Sequence, residues 1–224
     1  MDELTIATPK PMLPVAGKPL LEYKIDVLPD QFDEVILIVR YLKDVIKRHF
    51  GASYGGKKIR YAEQQDLNGT AGALWCAKEM LRDRFLVMMG DDIYMREDIE
   101  RSIANENTWS LLVQQLPEMH RAGSVQLDSD GRIAKIIEST AETPDRLEPG
   151  IASTNLYALD TRLFSCPLLP KHEGSLEYGL SQTVVNAAHL LDVPFEPVFT
   201  DEWIQITAPK DLLIAAELFK KFKI

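Results

Sequence analysis

Hydrophobic positions along the chain fall into short continuous runs separated by stretches with helical spacing. Val35-Ile-Leu-Ile-Val39 and Phe85-Leu-Val-Met-Met89 are apolar without alternation and bounded by polar residues, the pattern of strands in a parallel sheet covered on both faces. Between them, Leu42, Val45, Ile46 and Phe50 repeat on one helix face, and Gly51 supplies a stop. Gly69 to Leu81 reads as a second helix, entered through a Gly-Thr pair. Strand, helix, strand, helix, strand in this order predicts a layered α/β sheet, whose ligands gather beyond the carboxyl ends of the strands. Asp91 stands just past such an end.

From Thr108 the pattern changes to extended segments: Ser110 to Gln114, Ser124 to Leu127, Arg132 to Ile137 and Ile151 to Leu159. Asp128-Ser-Asp-Gly131 between two of them is a turn signal, with glycine free to take φ > 0, and it lacks the further ligands of a calcium loop. Thr140 to Pro149 is polar and Pro-containing and reads as an exposed connection. Leu176 to Leu191 and Pro209 to Phe222 have helical period, and the latter leads into Lys220, Lys221 and Lys223, favourable at a helix C-terminus. There is no internal repeat or low-complexity tract.

The 224 residues, 46% of them hydrophobic, fit one α/β domain with a substantial core. A formal charge of −9 argues against a duplex nucleic-acid binder, which needs a basic footprint to displace counterions from phosphates. No apolar run approaches the ~20 residues of a membrane span, and Met1-Asp-Glu-Leu-Thr5 lacks the basic and apolar regions of a signal peptide, so a cytoplasmic location is expected. Cys76 and Cys166 have neither CxxC spacing nor a Cys/His cluster around them and read as ordinary packing residues. His49, His120, His172 and His189 are dispersed and match no catalytic pattern.

The candidate chemistry lies in Thr8-Pro-Lys-Pro-Met-Leu-Pro-Val-Ala-Gly-Lys-Pro-Leu-Leu-Glu22. Pro9, Pro11, Pro14 and Pro19 fix φ at their own positions and drive the residues before them out of the helical region, so Lys10 is presented on a pre-ordered backbone just before an expected helix. A Pro-rich surface linker would account for the prolines and the lysine, but the interleaved Met12, Leu13 and Val15 point to a loop packed on a core. An acidic protein that binds phosphates must concentrate positive charge locally and recruit a divalent cation, which singles out Lys10 and Asp91. A carboxylate directly after a buried strand is rigidly held and can ligate magnesium. A cap of the following turn is the alternative role for Asp91, and Asp92 is the competing carboxylate.

The order Thr-Pro-Lys-Pro-Met-Leu-Pro-Val-x-Gly-Lys-Pro-Leu resembles the sugar-1-phosphate nucleotidylyltransferases, of the glucose-1-phosphate thymidylyltransferase kind, which join a nucleoside triphosphate to a sugar 1-phosphate and release pyrophosphate. The resemblance continues through Gln64, Gly69-Thr-Ala-Gly-Ala-Leu74, Gly90-Asp-Asp92, Glu138, Asn155-Leu-Tyr157 and Trp203 to Leu213. It implies a Rossmann-like three-layer α/β nucleotidyltransferase fold, similar to glycosyltransferase A, with a central mixed, mainly parallel sheet. The whole chain, 1–224, would be one such domain, with a nucleotide-binding half over 1–107 and a sugar-binding half over 108–224.

The same resemblance assigns catalysis to Lys10 and Asp91 and a magnesium ion to Asp91 and Gln205. It assigns nucleotide binding to Gln64, Gly69 and Thr70, and sugar hydroxyl contacts to Glu138 and Asn155. A Gln amide supplies donor and acceptor together, as a base edge requires, and glycine at 69 permits close backbone approach. The implied partners are a nucleoside triphosphate and a sugar 1-phosphate, with neither nucleic acid nor membrane; the oligomeric state is left open, a homo-oligomer included. The left-handed β-helix that often follows in the family, and its acyltransferase activity, are not expected in a sequence that stops at Ile224.

Three departures accompany the resemblance. The family's glycine-rich loop, Gly-x-Gly-Thr-Arg, is not in the sequence; Met1-Asp-Glu-Leu-Thr5 matches its continuation, so a strand and tight loop of roughly 15 to 20 residues are expected upstream, with Met1 an internal methionine. Ser139 stands where the family usually has the lysine of Glu-Lys. Trp203-Ile-Gln-Ile-Thr207 replaces Trp-x-Asp-Ile-Gly, and a neutral Gln205 oxygen is a weaker ligand for a hard cation than a carboxylate. The departures leave two alternatives: a catalytically silent nucleotidyltransferase-like binding or regulatory protein, and a transferase for another phosphorylated alcohol such as phosphocholine.

Overall fold

The computed structural model describes residues 2–119, 123–138 and 148–222. His120, Ser139 and Lys223, and all but the last two residues of the Thr140–Pro149 connection, lie outside the described residues. The chain gathers into two compact units interleaved along the sequence, one made of Met1–Glu63, Met89–Ile99 and Glu202–Ile224, the other of Gln64–Met88 and Glu100–Asp201.

The first unit is built on a strand–helix–strand crossover. Strand Glu34–Val39 pairs in parallel with Lys57–Glu63, in register from Glu34 opposite Lys58 to Val39 opposite Glu63, and helix Lys43–Phe50 makes the connection. Gly51, at φ 57°, ends that helix as the sequence predicts. A third strand, Ser53–Tyr54, folds back on Lys57–Lys58 through Gly55 and Gly56, both at positive φ. Met12, Leu21, Ile25, Leu37, Val39, Ile46, Phe50 and Ile59 form one buried cluster, so the Pro-rich loop and the helix Leu20–Asp26 are packed against this sheet. A second cluster joins Val15, Leu20 and Tyr23 to Ile93, Met95 and Ile206 and to Ala215 and Phe219 of the last helix, Pro209–Phe222. Within it the rings of Tyr23 and Phe219 stack at 3.8 Å.

The second unit holds a six-stranded mixed sheet in the order Ile133–Ile137, Ser124–Leu127, Gly150–Asp160, Trp109–Leu116, Phe195–Thr200, with Arg84–Val87 also paired to Gly150–Asp160. All pairs are antiparallel except Trp109–Leu116 with Phe195–Thr200. The four extended segments expected after Thr108 are all strands. Asp128 closes the turn between two of them by accepting from the backbone N–H groups of Asp130 and Arg132, both at 2.9 Å.

Three expectations change. The run Phe85–Met89 forms the strand Arg84–Val87, but it lies antiparallel to Gly150–Asp160, because an unbroken apolar run reports burial on both faces and not the direction of the partner. The helix expected over Leu176–Leu191 begins only at Leu180; Leu176 is exposed in a turn where Ser175 and Glu177 bond each other. The helix expected over Gly69–Leu81 divides into Gly69–Trp75 and a short 3-10 turn, Lys78–Met80, and Cys76 at the break is exposed rather than packed. Among the described residues no helix is long and apolar enough to cross a membrane.

Candidate active site

Lys10 is placed by the chemistry of its loop. Pro9 is extended (φ −62°, ψ 143°), and the turn Lys10–Met12 is closed by Met12 N–H donating to the Pro9 carbonyl at 2.7 Å and Leu13 N–H to the Lys10 carbonyl at 3.1 Å. The chain then makes a tight hairpin, Pro14–Val15 against Lys18–Pro19, whose turn residues Ala16 and Gly17 both have positive φ. Met12, Leu13 and Val15 are buried anchors, as the linker alternative would not require. Lys10 Nζ lies 2.5 Å from Asp91 Oδ2, with the two side chains 28% and 34% exposed. Gly90 makes this approach possible: a Cβ there would stand 3.0 Å from Pro11 Cγ.

Asp91 is fixed from its other side by the last segment of the unit. Ile206 N–H donates to the Asp91 carbonyl at 3.1 Å, and the short ladder Asp92–Ile93 with Ile204–Gln205 sets Gln205 opposite Asp92. Lys10, Asp91 and Gln205, separated widely in sequence, fall in one unit, with Lys10 paired to Asp91 and Gln205 opposite Asp92. Beneath them lie two buried charges. Asp92 is fully buried, its Oδ2 accepts from the Tyr94 hydroxyl at 3.1 Å, and its Oδ1 has no hydrogen-bond partner. Burial and the neighbouring Asp91 charge push the Asp92 carboxyl up towards neutrality. Lys24 is 4% exposed, its Nζ lacks a hydrogen-bond partner and lies 5.2 Å from the Tyr94 ring centre, and burial pulls its ammonium down against the attraction of Asp92 and Asp91.

The magnesium ion that the sequence implies would find few protein ligands here. Among the described residues no group of three or more His, Cys, Asp or Glu is arranged to hold a metal. A half-exposed Asp91 carboxylate beside the Gln205 segment nevertheless fits magnesium, which is commonly held by one or two carboxylates with substrate phosphates completing its shell.

In the second unit the expected nucleotide residues form a locked loop. Gln64 Nε2 donates to Asn68 Oδ1 at 3.1 Å and to the Gly69 carbonyl at 3.2 Å. Gly69, at φ 91°, passes so close to Tyr178 that a Cβ would stand 2.3 Å from the Tyr178 carbonyl oxygen. Thr70 Oγ1 accepts from Leu180 N–H at 3.0 Å, satisfying an N-terminal donor of the helix Leu180–Leu190.

The expected sugar residues also meet in this unit. Asn155 interrupts the strand Gly150–Asp160 in the left-handed region at φ 60°, where the register against Trp109–Leu116 slips between Ser153 and Tyr157. Thr154 Oγ1 takes up the displaced pairing by donating to the Leu112 carbonyl at 2.8 Å. Asn155 N–H donates to Ser153 Oγ at 3.3 Å, and Asn155 Oδ1 lies 3.4 Å from the Tyr157 hydroxyl. Tyr157 in turn lies 2.9 Å from Ser181 Oγ, which donates to Glu138 Oε1 at 2.5 Å.

The nucleotidyl transferase profile matches residues 1–220. The chain belongs to the nucleotidyl transferase family. It is 32% identical over 161 residues to the bifunctional protein GlmU of Methanocaldococcus jannaschii, an alignment covering 72% of this chain and 37% of that protein. It is 30% identical over 220 residues to the UTP–glucose-1-phosphate uridylyltransferase AglF of Haloferax volcanii, covering 93% of this chain and 86% of that one. Among solved structures, HddC from Yersinia pseudotuberculosis superposes with a TM-score of 0.69 at 22% identity, covering 97% of this chain and 93% of its own, a likeness of fold. The chain spans 37% and 51% of the length of the first two GlmU relatives it matches.

The sequence pattern of this family member singles out Lys10 with Asp91, the Gln64–Thr70 loop, and Glu138 with Asn155, but not the buried pair of Lys24 and Asp92. Lys24 lies on the apolar face of its own helix, where a lysine reads as solvated, and Asp92 reads in the sequence only as the competing carboxylate. Ser181 carries no motif of its own, and Tyr157 stands in the Asn155-Leu-Tyr157 motif without an assigned role; their contacts with each other and with Glu138 come from long-range packing.

Proposed function

We propose that the protein is a sugar-1-phosphate nucleotidyltransferase: an oxygen of the sugar phosphate attacks the α-phosphorus of a nucleoside triphosphate, and the bond to pyrophosphate breaks. The observation that carries the reading is the contact of Lys10 with Asp91, held by a proline-fixed loop on one side and Gly90 on the other. Little covalent chemistry is asked of the protein, and alignment with charge neutralisation supplies the rate. Lys10 neutralises phosphate charge, and Asp91 with Gln205 holds magnesium. When bound, the ion draws charge from the phosphate oxygens. With a triphosphate bound, the Lys10 ammonium, which has three donors on a flexible stem, would divide them between Asp91 and phosphate oxygens.

Gln64, Gly69 and Thr70 take the nucleotide, and Glu138 and Asn155 take the sugar hydroxyls. The relatives named for sugar-phosphate nucleotidyl transfer, AglF among them, support this reading, as does a strained Asn155 at the expected sugar contact. A nucleoside triphosphate and a sugar 1-phosphate are thus the substrates, and the cytoplasm, where both classes of metabolite are made, is the place of reaction.

The test is pyrophosphate release by the intact gene product with a panel of nucleoside triphosphates and sugar 1-phosphates, each with and without magnesium. Magnesium-dependent release with at least one pair is expected. Nucleotide binding by calorimetry with no release from any pair would replace the enzyme by the silent binding protein, a reading that the neutral Gln205 favours.

A further inference from the structure

We propose that Ser181 is a positioning residue for Glu138, the last donor in a hydroxyl chain from Tyr157 that aims one carboxylate oxygen at the sugar. The proposal rests on the reading that Glu138 contacts sugar hydroxyls.

Proton counting gives the chain its direction. An ionised carboxylate only accepts, so the single proton of the Ser181 hydroxyl goes to Glu138 Oε1, 2.5 Å away. Ser181 Oγ is then the acceptor for its other neighbour, and the Tyr157 hydroxyl, at 2.9 Å, gives its proton there. The Tyr157 hydroxyl also lies 3.4 Å from Asn155 Oδ1, the longer and weaker of its two acceptor contacts. Tyr157 has no exposed surface, and burial raises its pKa, so it remains a donor throughout the working pH range.

The serine is held as firmly as the proton it gives. It is 2% exposed, and the segment before it is tied by two backbone bonds, Tyr178 N–H to the Asn68 carbonyl at 2.7 Å and Ala71 N–H to the Tyr178 carbonyl at 3.1 Å, and by Leu180 N–H to the Thr70 side-chain Oγ1 at 3.0 Å. With Oε1 engaged, Glu138 presents Oε2, which lies on the side of Gly123, where a side chain would come within 3.7 Å of it. A glutamate fixed in this way does not lose its rotamer freedom when substrate arrives, so the cost appears in binding of the sugar phosphate if Ser181 is removed.

Steady-state kinetics of Ser181→Ala, Ser181→Thr and Glu138→Gln, with KM measured separately for the two substrates, decide the matter. Ser181→Ala is expected to raise KM for the sugar 1-phosphate about tenfold, the loss of a hydrogen bond to a charged group, with KM for the nucleotide unchanged and Ser181→Thr restoring most of the loss. An unchanged sugar-phosphate KM in Ser181→Ala, beside a raised one in Glu138→Gln, overturns the positioning role and leaves the role of Glu138 standing. Equal rises in both KM values, tracking a fall in Tm, overturn it as a merely structural effect. A Glu138→Gln enzyme with normal sugar-phosphate KM removes the underlying reading, and the proposal with it.

Discussion

Lys24 and Asp92 place two opposite charges inside the first unit without a hydrogen bond between them, since Lys24 Nζ and Asp92 Oδ1 both lack partners. Their attraction offsets part of the desolvation each suffers, and neither is tolerated well alone. Lys24→Met should therefore destabilise the protein by about 3 kcal/mol in denaturant unfolding, and the double change Lys24→Met with Asp92→Asn should recover much of that loss. Losses that simply add would show that the two charges do not interact. Gly90 is a second residue with a single physical task. Gly90→Ala puts a methyl 3.0 Å from Pro11, so the Lys10 loop must give by a small displacement beside Asp91; turnover is expected to slow by up to about tenfold while Tm stays within a few degrees. The sequence marked Gly90 as part of a motif, but its close neighbour, 79 positions earlier, was not legible in the pattern.

At the scale of elements, the sequence revealed what is local and obscured what is paired at long range. Glu34–Val39 and Lys43–Phe50 follow from apolar runs and a glycine stop, and Pro209–Phe222 from its period. Phe195–Thr200 escaped notice because Pro197 interrupts it; the strand lies at the edge of the sheet, where a missing N–H is tolerated. The direction of Arg84–Val87 was equally hidden, being set by a partner some seventy residues away. The start of the last helix carries a pH dependence. Burial would raise the Asp211 carboxyl, but donors from Ala208 N–H (2.7 Å), Thr207 N–H (2.8 Å) and Thr207 Oγ1 (2.9 Å) outweigh it and hold the group below its ordinary range. A depressed folded-state pKa stabilises above the ordinary carboxylate value and loses that contribution as pH falls through the folded value. Asp211→Ala should accordingly cost about 1 kcal/mol at pH 7 and progressively less in acid, read from unfolding midpoints at pH 7 and pH 3. An equal loss at both would contradict the capping role.

At the scale of the whole molecule, family membership and the Lys10 loop converge on nucleotidyl transfer, and the departures at Ser139 and Gln205 bear on its efficiency. On the proposed reading, the Gln205 change would leave most of the protein's hold on magnesium to Asp91, which stands against Lys10. The transferase reading stands or falls on Asp91 as the metal carboxylate. It is tested most directly by magnesium-dependent pyrophosphate release from the intact gene product beside its Asp91→Asn variant, at matched folding by circular dichroism. Release by the unaltered protein and a loss of at least about a thousandfold in the variant are expected, since one neutralised carboxylate would remove the ion that offsets phosphate charge. Near-normal release by Asp91→Asn would contradict that reading and return Asp91 to the role of a turn cap.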